Sequence, residues 1–221
     1  RILILTCATG GGHLRAAAAL EKQRETTTHE VIQMDFLKSI GKLLDKTICD
    51  SYLFMAKKTP SLFGRLYKTT NKDNTLGGFR PPAQTELLAL QLYPRLAEVA
   101  PDVIISVHPF ATEMISGLKE RRRITCPLIC LMTDYGVHKA WIAPNVDAYV
   151  VAATHGERPA PSRHSERAYL PYGIPVHDVF FDKEDQAKLL TEMDLEPEVP
   201  TVLFMAGSMG VSNIVDLYRG L

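Results

Sequence analysis

Charge of one sign is what this chain lacks most plainly. Its 221 residues carry 25 Lys and Arg against 25 Asp and Glu, a balance that gives nucleic acid no electrostatic footprint. No apolar run approaches the roughly 20 residues of a membrane-spanning helix, and the start does not read as a signal peptide. Cysteine is scarce, with four in the chain and no C-x-x-C pair. Cys7, Cys126 and Cys130 fall inside apolar strand candidates, which points to reduced core thiols in a cytoplasmic protein, with neither disulfides nor structural metal. Three catalytic signatures are missing too: H-E-x-x-H for zinc, D-x-D for a metal-held sugar diphosphate, and the G-x-S-x-G nucleophile elbow. What remains is the composition of a soluble α/β protein, 46% hydrophobic, enough for a sizeable core.

The most informative stretch that is present runs from Ile2 to His13, ILILTCATGGGH. An aliphatic run predicts a buried strand, three glycines turn the chain, and His13 opens an alanine-rich helix over Leu14–Leu20. Such a turn presents unpaired backbone N–H groups and the positive end of a helix dipole above the sheet. It matches neither the dinucleotide fingerprint nor the P-loop. Two readings stand, a tight steric turn and a cradle for an anion or substrate, and the histidine at its mouth favours the second.

Short apolar runs predict further strands at Glu30–Met34, Val103–Val107, Leu128–Met132, Ala148–Val151 and Val202–Met205. Helical stretches lie between them, at Leu14–Glu25, from about Phe36 to Lys68, and at Gln84–Val99, Thr112–Arg122 and Asp182–Met193. This alternation predicts an α/β fold with a doubly wound, right-handed parallel sheet. A boundary is expected near Gly173, after which Thr201–Gly210 repeats the opening grammar of strand, glycine turn and helix. One strand and one helix cannot bury their own apolar faces, so residues 174–221 read as the start of a second, truncated domain. The opening at Arg1, not Met, likewise implies residues ahead of it.

Ligands of open α/β sheets bind outside the carboxyl ends of the strands. Those ends carry Gly10–Gly11–Gly12–His13, then Ser106–Val107–His108–Pro109, then Thr133–Asp134 followed by His138, Lys139 and Trp141. Each has an ordinary structural explanation, a cap or a packed ring; their shared placement is the signal. Together they offer a base for a hydroxyl proton, His13 or His108, and a carboxylate to support it. No activated nucleophile accompanies them.

The segments ILILTCATGGGH, SVHP, LMTDYGVHKAWIAPNVDAYVVA, YGIPV and LFMAGSMGVSNI, in that order over nearly the whole chain, resemble the diacylglycerol glycosyltransferases. That family comprises the bacterial processive diacylglycerol glucosyltransferases and the monogalactosyldiacylglycerol synthases. The block from Met132 through Asp134, His138 and Trp141 to Asp147 is the most specific. The resemblance implies a GT-B glycosyltransferase of two Rossmann-like domains that inverts the anomeric centre, with no cofactor and no catalytic metal. Residues 1–173 would be the lipid-acceptor domain and 174–221 the beginning of the nucleotide-sugar domain, transferring hexose from UDP-hexose to the 3-hydroxyl of diacylglycerol. It makes His13 the catalytic base and sets Asp134, the carboxylate placed to support it, in the crevice block with His138. Gly11, Gly12, His108, His138 and Trp141 would line the acceptor crevice, and Gly207, Ser208 and Gly210 would face the donor diphosphate. One departure is Ala143, where members often carry His after the Trp-x pair. Another lipid-linked acceptor, or a non-catalytic nucleotide-sugar sensor, remains the alternative.

The stretch Phe36–Lys72 adds eight Lys or Arg against two Asp, a local charge of +6, interleaved with aromatic and aliphatic residues. Such a pattern suits an anionic membrane surface and predicts a peripheral protein on the inner face of the cell membrane. A core helix with a solvated lysine face fits the same pattern.

Overall fold

The structure, a computed structural model, describes residues 1–8, 11–41, 82–136, 138–152, 168–205 and 214–220. Six parallel strands form one sheet: β1 (Ile2–Thr6), β2 (Val31–Asp35), β3 (Val103–Ser106), β4 (Leu128–Leu131), β5 (Ala148–Val150) and β6 (Ala168–Leu170). Their spatial order is β2-β1-β3-β4-β5-β6. The helices are α1 (Gly11–Lys22), α2 (Phe36–Ile40), α3 (Pro82–Val99), α4 (Pro109–Glu120), α5 (Gln186–Glu192) and α6 (Ile214–Arg219).

Strand alternation divides the core in two. Leu3 and Leu5 of β1 face Phe36, Leu37, Leu92, Leu96, Met114 and Ile115, the inner sides of α2, α3 and α4. Ile4 faces the other way, onto Ala16 and Ala17 of α1, with Val107 and Leu131 beside them. The alanines let α1 lie close to the sheet, which fixes where its first turn sits. At its far end, Lys22 reaches both carboxylate oxygens of Asp178 at 2.6 Å, tying the short 3-10 turn Asp178–Phe181 to α1.

The five strands expected first form within a residue or two of their predicted limits. Three details differ. β6 was not expected; it pairs with β5, where the Tyr149 and Tyr169 rings stack 5.3 Å apart. The strand expected at Val202–Met205 does not form, and Leu203 and Met205 are exposed. An extended apolar run becomes a strand only beside a partner strand. Cys126 lies in the turn before β4, half-buried, whereas Cys7 and Cys130 are core residues as expected; none of the three is in a disulfide. Burial pushes the Cys130 thiol up to about 12, so it is inert.

Gly173 closes the exit from β6. Its N–H donates to the Val151 carbonyl at 3.0 Å with φ +85°, a conformation that favours glycine. Of the basic-aromatic stretch, only Phe36–Gly41 belongs to the described residues. There Phe36 and Leu37 are fully buried, while Lys38 is exposed.

Candidate functional site

The strand order reverses between β1 and β3, because β1 connects outward to β2 on one side while β3 continues to β4 on the other. A crevice opens at the carboxyl ends on either side of such a switch point. The first turn of α1 stands there. Gly11 and Gly12 begin the helix and His13 follows. A Cβ added at Gly12 would meet nothing within 4 Å, so no protein neighbour demands a glycine at that position.

His13 leans across the switch point. Its Nδ1 lies 2.7 Å from the Val107 carbonyl oxygen beyond β3, and 3.0 Å from the Thr133 hydroxyl beyond β4. A carbonyl only accepts, so Nδ1 carries the hydrogen and Nε2 keeps the basic lone pair. Burial lowers the His13 pKa from the ordinary imidazole value, against the opposing pull of the Val107 carbonyl and Asp134. The ring is neutral at physiological pH.

His108 packs edge-on against His13 with ring centroids 4.7 Å apart, and Phe36 lies 5.6 Å away. Its local role follows from SVHP. His108 is the N-cap of α4, its Nδ1 accepting from Phe110 N–H at 3.2 Å, and Pro109 supplies the first helical residue without an N–H to satisfy. Burial, then the neighbouring His13, keeps its pKa well below the usual imidazole value. Beneath it, Thr112 donates to Ser106 at 2.9 Å in a buried hydroxyl pair that holds the β3–α4 corner.

Asp134 accepts from the Trp141 indole N–H at 2.8 Å. That bond latches the buried Trp141 ring 5.9 Å from His13. His138 sits one step behind, its Nδ1 capping the 3-10 turn Lys139–Trp141 through Ala140 N–H at 3.1 Å. The sheet therefore brings together His13, His108, Asp134, Trp141 and the first helical residues Gly11 and Gly12, which were expected in the turn, while His138 caps the turn that carries Trp141. Gly207, Ser208 and Gly210 lie outside the described residues. Ala143 is buried, its backbone closed on the Tyr149 hydroxyl, so its departure from the family pattern falls in the core. Sequence reasoning did not assign the Val107 carbonyl or the Thr133 hydroxyl. The latter was visible only as the neighbour of Asp134.

Acid should test these neutral rings. Below about pH 6.5 an unfolded imidazole binds protons that the folded rings refuse, so stability falls as pH drops through that value. Asn is a good N-cap and does not titrate. His108→Asn is expected to keep α4 capped and to flatten the decline in melting temperature between about pH 6.5 and 5. A decline as steep as in the parent would assign the effect to other groups.

With this geometry in place, comparison with known proteins is decisive. The family model described as monogalactosyldiacylglycerol (MGDG) synthase matches residues 13–176, a span that takes in His13, His108, Asp134 and Trp141 and begins just after Gly11 and Gly12. The chain belongs to the MGDG synthase family. Its parallel sheet with alternating helices fits the α/β Rossmann-like domain of the GT-B fold. Among relatives, the processive diacylglycerol β-glucosyltransferase of Staphylococcus epidermidis RP62A is 28% identical over 220 residues, covering 98% of this chain and 54% of the relative. The enzymes of the same description from Staphylococcus haemolyticus (28% identical, 98% and 54% covered) and Staphylococcus carnosus (25%, 98% and 55%) agree. The chain thus spans about half the length of the curated relatives it matches.

Proposed function

We propose that this MGDG synthase family chain is the acceptor side of an enzyme that transfers hexose from UDP-hexose to the 3-hydroxyl of diacylglycerol, with inversion. The observation that carries this reading is His13. Its Nδ1 is engaged by the Val107 carbonyl at 2.7 Å, and burial disfavours the protonated ring, which leaves Nε2 as the basic nitrogen of a residue in the first turn of α1. Nε2 takes the acceptor hydroxyl proton as that oxygen bonds the anomeric carbon. The bond from the anomeric carbon to the UDP oxygen breaks, and UDP leaves with the electron pair. His108 is a poor base by comparison, because burial disfavours its cation and its Nδ1 already caps α4. Asp134 adds a negative charge that supports the imidazolium and keeps Trp141 in place.

On this reading residues 1–173 form the acceptor domain and 174–221 begin the donor domain. Gly207, Ser208 and Gly210 meet the diphosphate with backbone amides, without metal, as helix N-termini and nests can. Exposed Phe180, Phe181 and Leu203 give a further domain something to cover, and the relatives are nearly twice as long. This chain alone is expected to transfer no sugar.

The acceptor has two acyl chains, so the enzyme must work at a bilayer. No helix among the described residues is long and apolar enough to cross a membrane. Peripheral binding to the inner face through the Phe36–Lys72 stretch answers that need, except that Phe36 and Leu37 are taken up by the core and leave the contact to the residues from Lys38 onward. Each Lys or Arg near an anionic surface contributes about 1 kcal/mol, screened over a Debye length of about 8 Å at physiological salt.

The test is thin-layer analysis of lipids made from labelled UDP-glucose or UDP-galactose by a protein of the relatives' length carrying this sequence. Vesicles hold diacylglycerol with or without anionic lipid, at low and high salt. The expected result is a labelled glycolipid, more abundant with anionic lipid and reduced by salt. Absence of glycolipid from every diacylglycerol vesicle overturns the proposal. UDP-hexose binding without turnover then favours a sensor, and label on a different lipid-linked acceptor favours the cell-wall alternative.

A further inference from the structure

We infer that Thr133 is a positioning residue for His13, completing a two-oxygen cradle that fixes the ring's tautomer and receives the charge it acquires. This rests on the reading of His13 as base. Two oxygens converge on one ring nitrogen: the Val107 carbonyl at 2.7 Å and the Thr133 hydroxyl at 3.0 Å. They come from the carboxyl ends of neighbouring strands, β3 and β4, while the ring itself is carried by α1. Three elements therefore have to agree in position for the contact to exist. The carbonyl cannot donate, so the hydrogen belongs to Nδ1 and the hydroxyl oxygen shares it as a second acceptor.

The arrangement does the work of the carboxylate in a Ser-His-Asp triad with two neutral oxygens. When Nε2 takes a proton, the positive charge spreads to Nδ1–H and both contacts strengthen. The one carboxylate that acts on His13, Asp134, is committed to Trp141. Asp134 and His108 are the titratable groups that face the ring among the described residues. Neither replaces the hydroxyl, because His108 is held neutral and Asp134 acts through space.

Thr133→Val keeps the shape and removes the oxygen; Thr133→Ser restores it. The His13 ring is followed by long-range proton–nitrogen NMR across a pH titration of the protein, and sugar transfer is followed in parallel. In the parent the neutral ring is expected as the Nδ1–H tautomer. Losing an acceptor for Nδ1–H disfavours the cation, so Thr133→Val should move the His13 midpoint down by roughly half a unit to one unit. It should also lower kcat about three- to tenfold at neutral pH with KM unchanged, and the acid limb of the rate profile should follow the midpoint downward. Thr133→Ser should recover both. If the valine variant does not fold, Thr133→Ala is read the same way.

An unmoved midpoint and tautomer in the valine or alanine variant overturns the proposal, as does a serine variant no better than valine. The NMR arm needs no turnover. A shifted midpoint in a protein that makes no glycolipid keeps the cradle and removes only the catalytic reading of His13.

Discussion

Replacing His13 with alanine is expected to lower turnover by roughly two to four powers of ten while leaving donor affinity nearly unchanged. The size of that effect follows from what the ring does on the proposed reading. It removes a proton from an alcohol whose pKa is far above neutrality, and no second group among the described residues stands ready to substitute. His108 is 4.7 Å away but neutral and buried, with Nδ1 spent on Phe110. The pH profile should carry the same mark. Activity should rise as His13 loses its proton, with a midpoint below the ordinary imidazole value of about 6.5 because burial disfavours the cation. A His13→Ala protein with the parent's activity per folded molecule would reduce this residue to a packed turn. The melting temperature of the variant, measured alongside, separates loss of chemistry from loss of fold.

The largest effect on stability is expected at Trp141. Its side chain is 1% exposed and belongs to the main core cluster, although the residue sits in a three-residue 3-10 turn with little regular structure of its own. Truncating a buried aromatic to alanine costs about 3–5 kcal/mol, and here it also strips Asp134 of its indole donor. For a chain of this size that corresponds to a fall of roughly 6–20 °C in melting temperature. Trp141→Phe keeps most of the buried ring and removes only the N–H, so it should cost about 1–3 kcal/mol and release Asp134. Thermal unfolding followed by circular dichroism measures both. A Trp141→Ala loss under about 1 kcal/mol would show that the core closes over the vacancy, and that the ring is no pillar of the crevice.

The sequence disclosed the frame of this site better than its wiring. β1, β3 and β4 are short aliphatic runs, and strands covered on both faces have to be written that way, so their carboxyl ends could be located to within a residue or two. His13, His108 and Asp134 followed from that placement. The wiring depended on facts of distance. His108 and His138 each spend Nδ1 on capping the turn that follows, a role that depends on backbone angles and leaves no spacing pattern. Thr133 reads as a strand-end hydroxyl like many others until α1 brings His13 within 3.0 Å of it. β6, Ala168–Leu170, escaped notice; it pairs with β5, where the Tyr149 and Tyr169 rings stack. At Val202–Met205 the opposite happened. The local propensity was present and a neighbouring strand among the described residues was not.

The strand order also sets a timetable. β1 pairs with β2 about thirty residues on, but its other edge pairs with β3, where Ile2 meets Val103. The contact between His13 and the Val107 carbonyl spans 94 residues. At the usual 5–20 residues per second of synthesis, that is roughly 5–20 s between the two halves of the crevice leaving the ribosome. Closing so long a loop is entropically costly and slow relative to helix formation. Through that interval one edge of an aliphatic strand, ILILT, stands open to the wrong partner. The switch point that opens the crevice is thus also the seam that closes late, and substitutions that slow β3 should appear first as poor yield of folded protein, before any change in the chemistry of what does fold.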